Sequence, residues 1–144
     1  AIMLHKINRN KLMQLSDYRF ACSDTAAEWM FGHDYKDEQV RIIKNGIIVK
    51  DYVYNSEVRN KVRTELGLTN KFVIGHVGAF REQKNHKFLL DVFSKLDIPN
   101  AELVLVGEGS LKKAMENYAR ELGIKDRVLF LGSRNDVNDL LQAF

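Results

Sequence analysis

Apolar residues follow two periods along the chain, and an element ends wherever the period changes. Three runs are nearly continuous: residues 71–77, Glu102-Leu103-Val104-Leu105-Val106 and Arg127-Val128-Leu129-Phe130-Leu131. Each is followed by glycine, the pattern of strands buried on both faces. Between the runs the period lengthens to that of a helix. Phe88, Leu89, Val92, Phe93 and Leu96 mark the apolar face of a helix over 85–96. Leu111, Ala114, Met115, Tyr118, Ala119 and Leu122 mark a second, capped by Gly123, and a last helix opens near Asn135. Three successive βα units predict an α/β fold, a Rossmann-like parallel sheet with flanking helices. Right-handed crossovers place its strands in the order 3-2-1.

The pattern upstream is looser. Ile2, Met3, Leu4, Ile7, Leu12 and Leu15 predict a helix over 1–15, and 18–22 reads as a short strand. Ser23 and Asp24 are N-cap residues for a helix over 25–31 that Gly32 ends. Residues 40–43 form another short strand, closed by the Asn45-Gly46 turn. Residues 47–55 read as irregular. A helix over 56–66 follows, with Val58, Val62 and Leu66 on one stripe and a Glu57–Lys61 pair one turn apart. The predicted organisation is therefore 1–46, a connecting stretch with its helix over 47–69, and the βα series over 70–144.

Composition narrows the class of protein. The 144 residues carry a net charge of +3, and 45% are hydrophobic, which is ordinary for a globular domain. The mild basicity implies a weak preference for anionic ligands. Aromatic and basic residues do not interleave, so nucleic acid is not an expected partner. The single Cys22 excludes an internal disulfide and fits a reducing compartment, and its place in an apolar strand predicts a buried, inert thiol. No apolar run approaches the ~20 residues of a membrane span and no leader peptide is visible, so a cytoplasmic location is expected. Both ends look cut from a longer protein.

In a parallel α/β sheet ligands bind beyond the carboxyl ends of the strands. Loops 78–85, 107–110 and 132–135 lie there, and each opens with glycine. Glycines mark any βα turn, but three in succession favour a ligand whose backbone contacts are close. Lys84 admits two readings: a solvated first-turn lysine, or an ammonium folded back onto a bound diphosphate. A cation is unfavourable at a helix N-terminus, which tilts the balance to a bound anion. Arg81 shares that loop. Glu108, between Gly107 and Gly109, either accepts hydrogen bonds from sugar hydroxyls or complements the next helix. The dinucleotide fingerprint is absent after the first strand. His5, His33, His76 and His86 have no metal-ligand spacing, so no metal is expected. His76 reads as a hydrogen-bonded core residue and His86 as packed or solvated. Asp34, Asp37 and Glu38 read as a solvated turn. No Gly-x-Ser-x-Gly elbow and no Ser/His/Asp set is present.

At these loops the chain resembles a family 4, or group 1, glycosyltransferase of the GT-B fold. Five segments carry the resemblance in order: Ile42-Ile43-Lys44-Asn45-Gly46-Ile47, Arg63-Thr64-Glu65-Leu66-Gly67-Leu68, Gly78-Ala79-Phe80-Arg81-Glu82-Gln83-Lys84-Asn85, Leu105-Val106-Gly107-Glu108-Gly109 and Val128-Leu129-Phe130-Leu131-Gly132. The Gln-Lys-Asn-His wording is similar to bacterial capsule and exopolysaccharide enzymes. The resemblance implies a partial GT-B fold: residues 1–46 would end an acceptor-side N-terminal domain, and 70–144 would begin the donor-binding domain. It implies a retaining transfer of sugar from a nucleoside-diphosphate donor, UDP-linked, to a hydroxyl of a saccharide or lipid-linked saccharide, without metal or cofactor. Lys84 would contact the diphosphate and serve catalysis. Gly78 and Gly107-Glu108-Gly109 would border the nucleotide, and the backbone of Ser133 and Arg134 would meet the base. Peripheral contact with the inner face of a membrane is a further implication.

Two departures stand out. Ala79 occupies the position where the family usually has a second diphosphate-binding arginine, and the family's Glu-x7-Glu segment would lie beyond Phe144. The chain alone is therefore expected to be inactive. The alternatives are a non-catalytic nucleotide-binding module, marked by Ala79, and a related sugar-nucleotide 2-epimerase.

Overall fold

The computed structural model describes residues 11–32 and 40–144. The chain divides into two compact units, one ending at Ile48 and the other starting at Val49.

In the first unit residues 11–15 are helical (α1). Strands β1 (Arg19–Ala21) and β2 (Val40–Ile42) pair in parallel, with Arg19 opposite Val40. Helix α2 (Asp24–Phe31) starts at Ser23, whose hydroxyl accepts the Ala26 N–H at 3.1 Å. It buries Ala27. Cys22 corrects an expectation: it is exposed, because β1 stops at Ala21 and Cys22 falls in the turn into α2. The first ten residues of the helix expected over 1–15 lie outside the described residues, with His5. So do His33 and the Asp34, Asp37 and Glu38 turn.

The second unit holds the regular series. Strands β3 (Phe72–Val77), β4 (Ala101–Val106) and β5 (Val128–Gly132) form a parallel sheet in the order β3-β4-β5, the order expected. Phe72 pairs with Ala101, and the register holds to Val77 and Val106. All six residues of the central strand β4 are buried. One of them is Glu102, whose carboxylate meets the Lys71 ammonium at 3.0 Å.

Alternate residues of β4 feed two cores. Leu103 and Leu105 pack with Phe80, Leu90, Phe93 and Ala119 beneath helices α4 (His86–Ser94) and α5 (Lys112–Glu121). Val104 and Val106 pack on the other face with Val62, Leu68, Leu140 and Ala143, from α3 (Ser56–Glu65), α6 (Val137–Ala143) and the turn after α3.

The stretch expected as a connection contributes to this second core from Val58 onward. A 3-10 turn (Val49–Tyr52) leads to α3, and the Asn55 side chain caps that helix by accepting the Glu57 and Val58 N–H groups. Arg59 and Arg63 reach across to the carbonyls that end α6. Arg59 donates to Gln142 and Phe144, and Arg63 to Ala143 at 2.7 Å. These guanidinium groups satisfy orphan carbonyls at the negative end of the helix. Gly75 in β3 leaves room for Phe144: a Cβ there would stand 1.9 Å from its ring.

Three local expectations shift. The buried face of α4 is His86, Leu90 and Phe93, while Phe88 and Val92, expected inside, are exposed. The αL cap at Asn85 starts the helix one residue later, and His86, treated as polar, in fact leads the buried stripe at i, i+4, i+7. Ala114 likewise faces solvent on α5. Lys61 pairs with Glu65, at a loose 4.0 Å, in place of the expected Glu57.

Candidate functional site

The three loops that top β3, β4 and β5 converge. The Gly78 N–H donates to Val106 O at 2.9 Å, and the Phe80 N–H to Glu108 O at 3.0 Å. The Gly107 N–H donates to Gly132 O at 2.8 Å, and the Leu111 N–H to Phe80 O at 3.2 Å. Such ladders between loops hold backbone at distances a side chain would prevent. A Cβ on Gly107, which has φ +142°, would lie 2.2 Å from the carbonyl oxygen of Gly78. A Cβ on Gly109 would lie 2.5 Å from that of Phe80. Gly78, Gly107 and Gly109 are thus brought together by close approach of the first two loops.

Lys84 sits in a 3-10 turn (Glu82–Lys84) just ahead of α4, so it precedes the helix it was expected to start. Its stem folds back over the loop: Cδ and Cε lie 3.5 Å from where a Cβ on Gly78 would stand. Among the described residues it makes no ion pair with a carboxylate. Asn85 follows in the αL conformation (φ 45°), and its side chain accepts the Phe88 N–H. This kink turns the chain from the loop into α4. The fold therefore lays the stem of Lys84, whose ammonium meets no carboxylate among the described residues, against the glycine that opens the loop.

Two histidines lie under that lysine. His76, next to last in β3, has Cε1 2.9 Å from the Gly78 Cβ position. His86 is 3% exposed, stacks on Phe80 at 4.1 Å and meets His76 edge-on at 4.8 Å. Both nitrogens of His86 and Nδ1 of His76 are buried without a hydrogen-bond partner. His76 therefore departs from the hydrogen-bonded core residue expected. Burial holds both imidazoles below the ordinary histidine range, and the Lys84 charge adds to the effect. Sequence reasoning treated the two histidines separately. Nine residues lie between them, and only the return of the chain from β3 through the loop into α4 joins them to Lys84.

The remaining candidates are placed differently. Glu108 is held by Lys112 from the first turn of α5, carboxylate to ammonium at 2.6 Å, so it complements the helix that follows. The same carboxylate lies 2.8 Å from the Cβ position of Gly132, which brings it to the third loop. Ser133 and Arg134 are exposed beyond β5. Arg134 is committed to Asp136 through two bonds of 2.8 and 2.6 Å, which raise the arginine and lower the aspartate from their ordinary ranges. Arg81 lines a small cavity with Glu82, Asn85, His86, Lys87, Leu111 and Met115. No three His, Cys, Asp or Glu side chains gather as metal ligands among the described residues. No described helix is long and apolar enough to cross a membrane.

A parallel sheet flanked by helices, with glycine loops meeting at its carboxyl edge, makes the fold Rossmann-like. Residues 58–144 match the family of glycosyl transferases group 1, and the chain belongs to that family. Two relatives show the range. One is EpsF of Bacillus subtilis (strain 168), whose name assigns it provisionally to the glycosyltransferases. It is 32% identical over 86% of this chain and 33% of its own length. The other is the Escherichia coli UDP-Gal:alpha-D-GlcNAc-diphosphoundecaprenol alpha-1,3-galactosyltransferase, 30% identical over 73% of this chain and 29% of its own length. The chain thus spans about a third of the relatives it matches. Among solved structures, Anabaena Alr3699/HepE in complex with UDP and glucose superposes with a TM-score of 0.86 at 24% identity, covering 99% of this chain and 40% of that one.

Proposed function

We propose that this chain supplies half of the donor site of a retaining glycosyltransferase. The enzyme would move a sugar from a UDP-linked donor to an acceptor hydroxyl during synthesis of a cell-surface polysaccharide. One observation carries the reading: the Lys84 stem lies across Gly78 with its ammonium unpaired by any described carboxylate, at the carboxyl edge of the sheet. Cleavage of the bond from anomeric carbon to phosphate oxygen leaves its electron pair, and negative charge, on the departing diphosphate. A fixed cation there stabilises the transition state more than the ground state. The anomeric carbon bonds to the acceptor oxygen, and the hydroxyl proton passes to the departing diphosphate or to solvent. In this reading the glycine loops approach the nucleotide closely, Glu108 and the Ser133–Arg134 backbone border it, and no metal or cofactor is assigned.

Names among the relatives support the substrate class. The Escherichia coli enzyme is named for a UDP-galactose donor and a diphosphoundecaprenol-linked acceptor. A lipid-linked acceptor would bring the full-length enzyme to the inner face of a membrane, with a cytoplasmic donor pool. Most of the acceptor side would come from sequence outside this chain, so the chain by itself would not transfer sugar.

The test is Lys84→Met in the full-length enzyme, which keeps the stem and removes the charge. Turnover should fall about 10²- to 10³-fold, UDP should bind more weakly by calorimetry, and the melting temperature should hold. Activity within twofold of the parent refutes the assignment. Turnover by the parent with its native Ala79 separates an enzyme from a module that only binds nucleotide.

A further inference from the structure

We propose that His76 is a second charge-bearing residue of the donor site: it takes a proton from solvent when a diphosphate settles over Gly78 beside Lys84. The inference rests on the donor-site reading above and adds to it a residue and a pH dependence.

The geometry is specific to His76. Its Cε1, the ring atom between the two nitrogens, is the atom that faces the Gly78 Cβ position at 2.9 Å. The Lys84 stem reaches that same position at 3.5 Å. An anion held beside Gly78 by Lys84 would therefore lie next to the edge of the His76 ring. The buried Nδ1 has no hydrogen-bond partner among the described residues. His86 cannot take the role directly: it lies behind His76, stacked on Phe80 and shielded from solvent.

The charged groups around the pair are accounted for. Lys84 faces both rings and opposes their protonation. On the loop, Arg81 and Glu82 line the cavity beside His86. On α4 and α5, Lys87, Asp91 and Tyr118 bond to one another, with Lys87 Nζ 2.9 Å from the Tyr118 hydroxyl and 3.3 Å from Asp91. On the second loop Glu108 is neutralised by Lys112. No described carboxylate bonds to His76, so the charge that would favour its protonated form has to arrive with the ligand. A diphosphate carries two negative charges against the single one of Lys84, and a nearby opposite charge raises an imidazole's proton affinity. No substrate bond changes in this step; the proton moves from solvent to the ring and returns when the nucleotide leaves.

The experiment is calorimetry of UDP-glucose binding to the full-length enzyme between pH 6 and 8, in buffers of different ionisation enthalpy. The diphosphate of UDP-glucose is a diester and does not titrate in this range, so any proton counted belongs to the protein. The expected result is net proton uptake, with affinity rising as pH falls, by no more than about tenfold per pH unit. His76→Gln should abolish the uptake and flatten the slope, while His86→Phe, which keeps the stack on Phe80, should retain both. A histidine Cε1–H titration by NMR on the unsubstituted enzyme gives an independent readout: the His76 midpoint should move up on adding UDP-glucose. Binding without proton uptake, uptake unchanged in His76→Gln, or an unmoved His76 titration overturns the inference and leaves the proposed function standing. Failure of UDP-glucose to bind at all overturns both.

Discussion

Replacing Gly107 by alanine tests whether the loops form one rigid cradle. The new methyl carbon would stand 2.2 Å from the Gly78 carbonyl oxygen and 2.8 Å from its carbon. Ordinary contact requires the two loops to part by about 1 Å. That movement strains the bonds that join them: Gly78 N–H to Val106 O at 2.9 Å, Phe80 N–H to Glu108 O at 3.0 Å and Gly107 N–H to Gly132 O at 2.8 Å. Loss of two such bonds costs about 1 kcal/mol each. Alanine at φ +142° adds roughly 1–3 kcal/mol of backbone strain. The expected total is about 3–5 kcal/mol, a large share of the stability of a domain this size. Urea denaturation measures it, with Gly46→Ala as the control, since a Cβ at Gly46 meets nothing within 4 Å. UDP binding measured on the same variant should weaken as the loops separate. A loss under about 1 kcal/mol, together with unchanged UDP binding, would show that the loops are not held by mutual close approach.

Two further outcomes follow from the core. Phe93→Ala, at a position 2% exposed and beneath the Arg127 guanidinium at 4.9 Å, should cost about 3–5 kcal/mol by the same denaturation assay. His86→Phe should make the fold less sensitive to acid. Burial, with His76 and Lys84, holds the His86 imidazole below its ordinary value, so beneath about pH 6.5 the unfolded chain binds the proton more readily than the folded one. Stability present above that pH is lost as pH falls toward the folded value, by at most about 1.4 kcal/mol per pH unit. Phenylalanine has no proton to take, so denaturation midpoints at pH 7.5 and 5.5 should lie closer together in the variant than in the parent.

The βα series was legible because each strand is a continuous apolar run and each helix carries a 3.6-residue stripe. Burial of every residue in β4 leaves the sequence no polar alternation to misread. The errors have local causes. Phe88 and Val92 have the right composition but the wrong phase, because His86 was not counted among apolar positions. Cys22 lies one residue past a strand only three residues long, within the usual uncertainty of an element's end. At the site, Gly78, Gly107 and Lys84 could be nominated by spacing. The Glu108–Lys112 and Arg134–Asp136 pairings were not anticipated, since several rotamers of each long side chain reach other partners equally well.

By itself, then, the order of residues determined the parallel three-stranded sheet and the order of its strands. These follow from burial and chain chirality, which act on every residue of an element together. Only tertiary structure decided which atoms meet above the strands: the Lys84 stem over Gly78, the Gly107 backbone against the Gly78 carbonyl, and His76 against His86. Those contacts join residues from separate loops at ångström precision, and they depend on loop conformations such as the αL turn at Asn85 that hydrophobic periodicity does not encode.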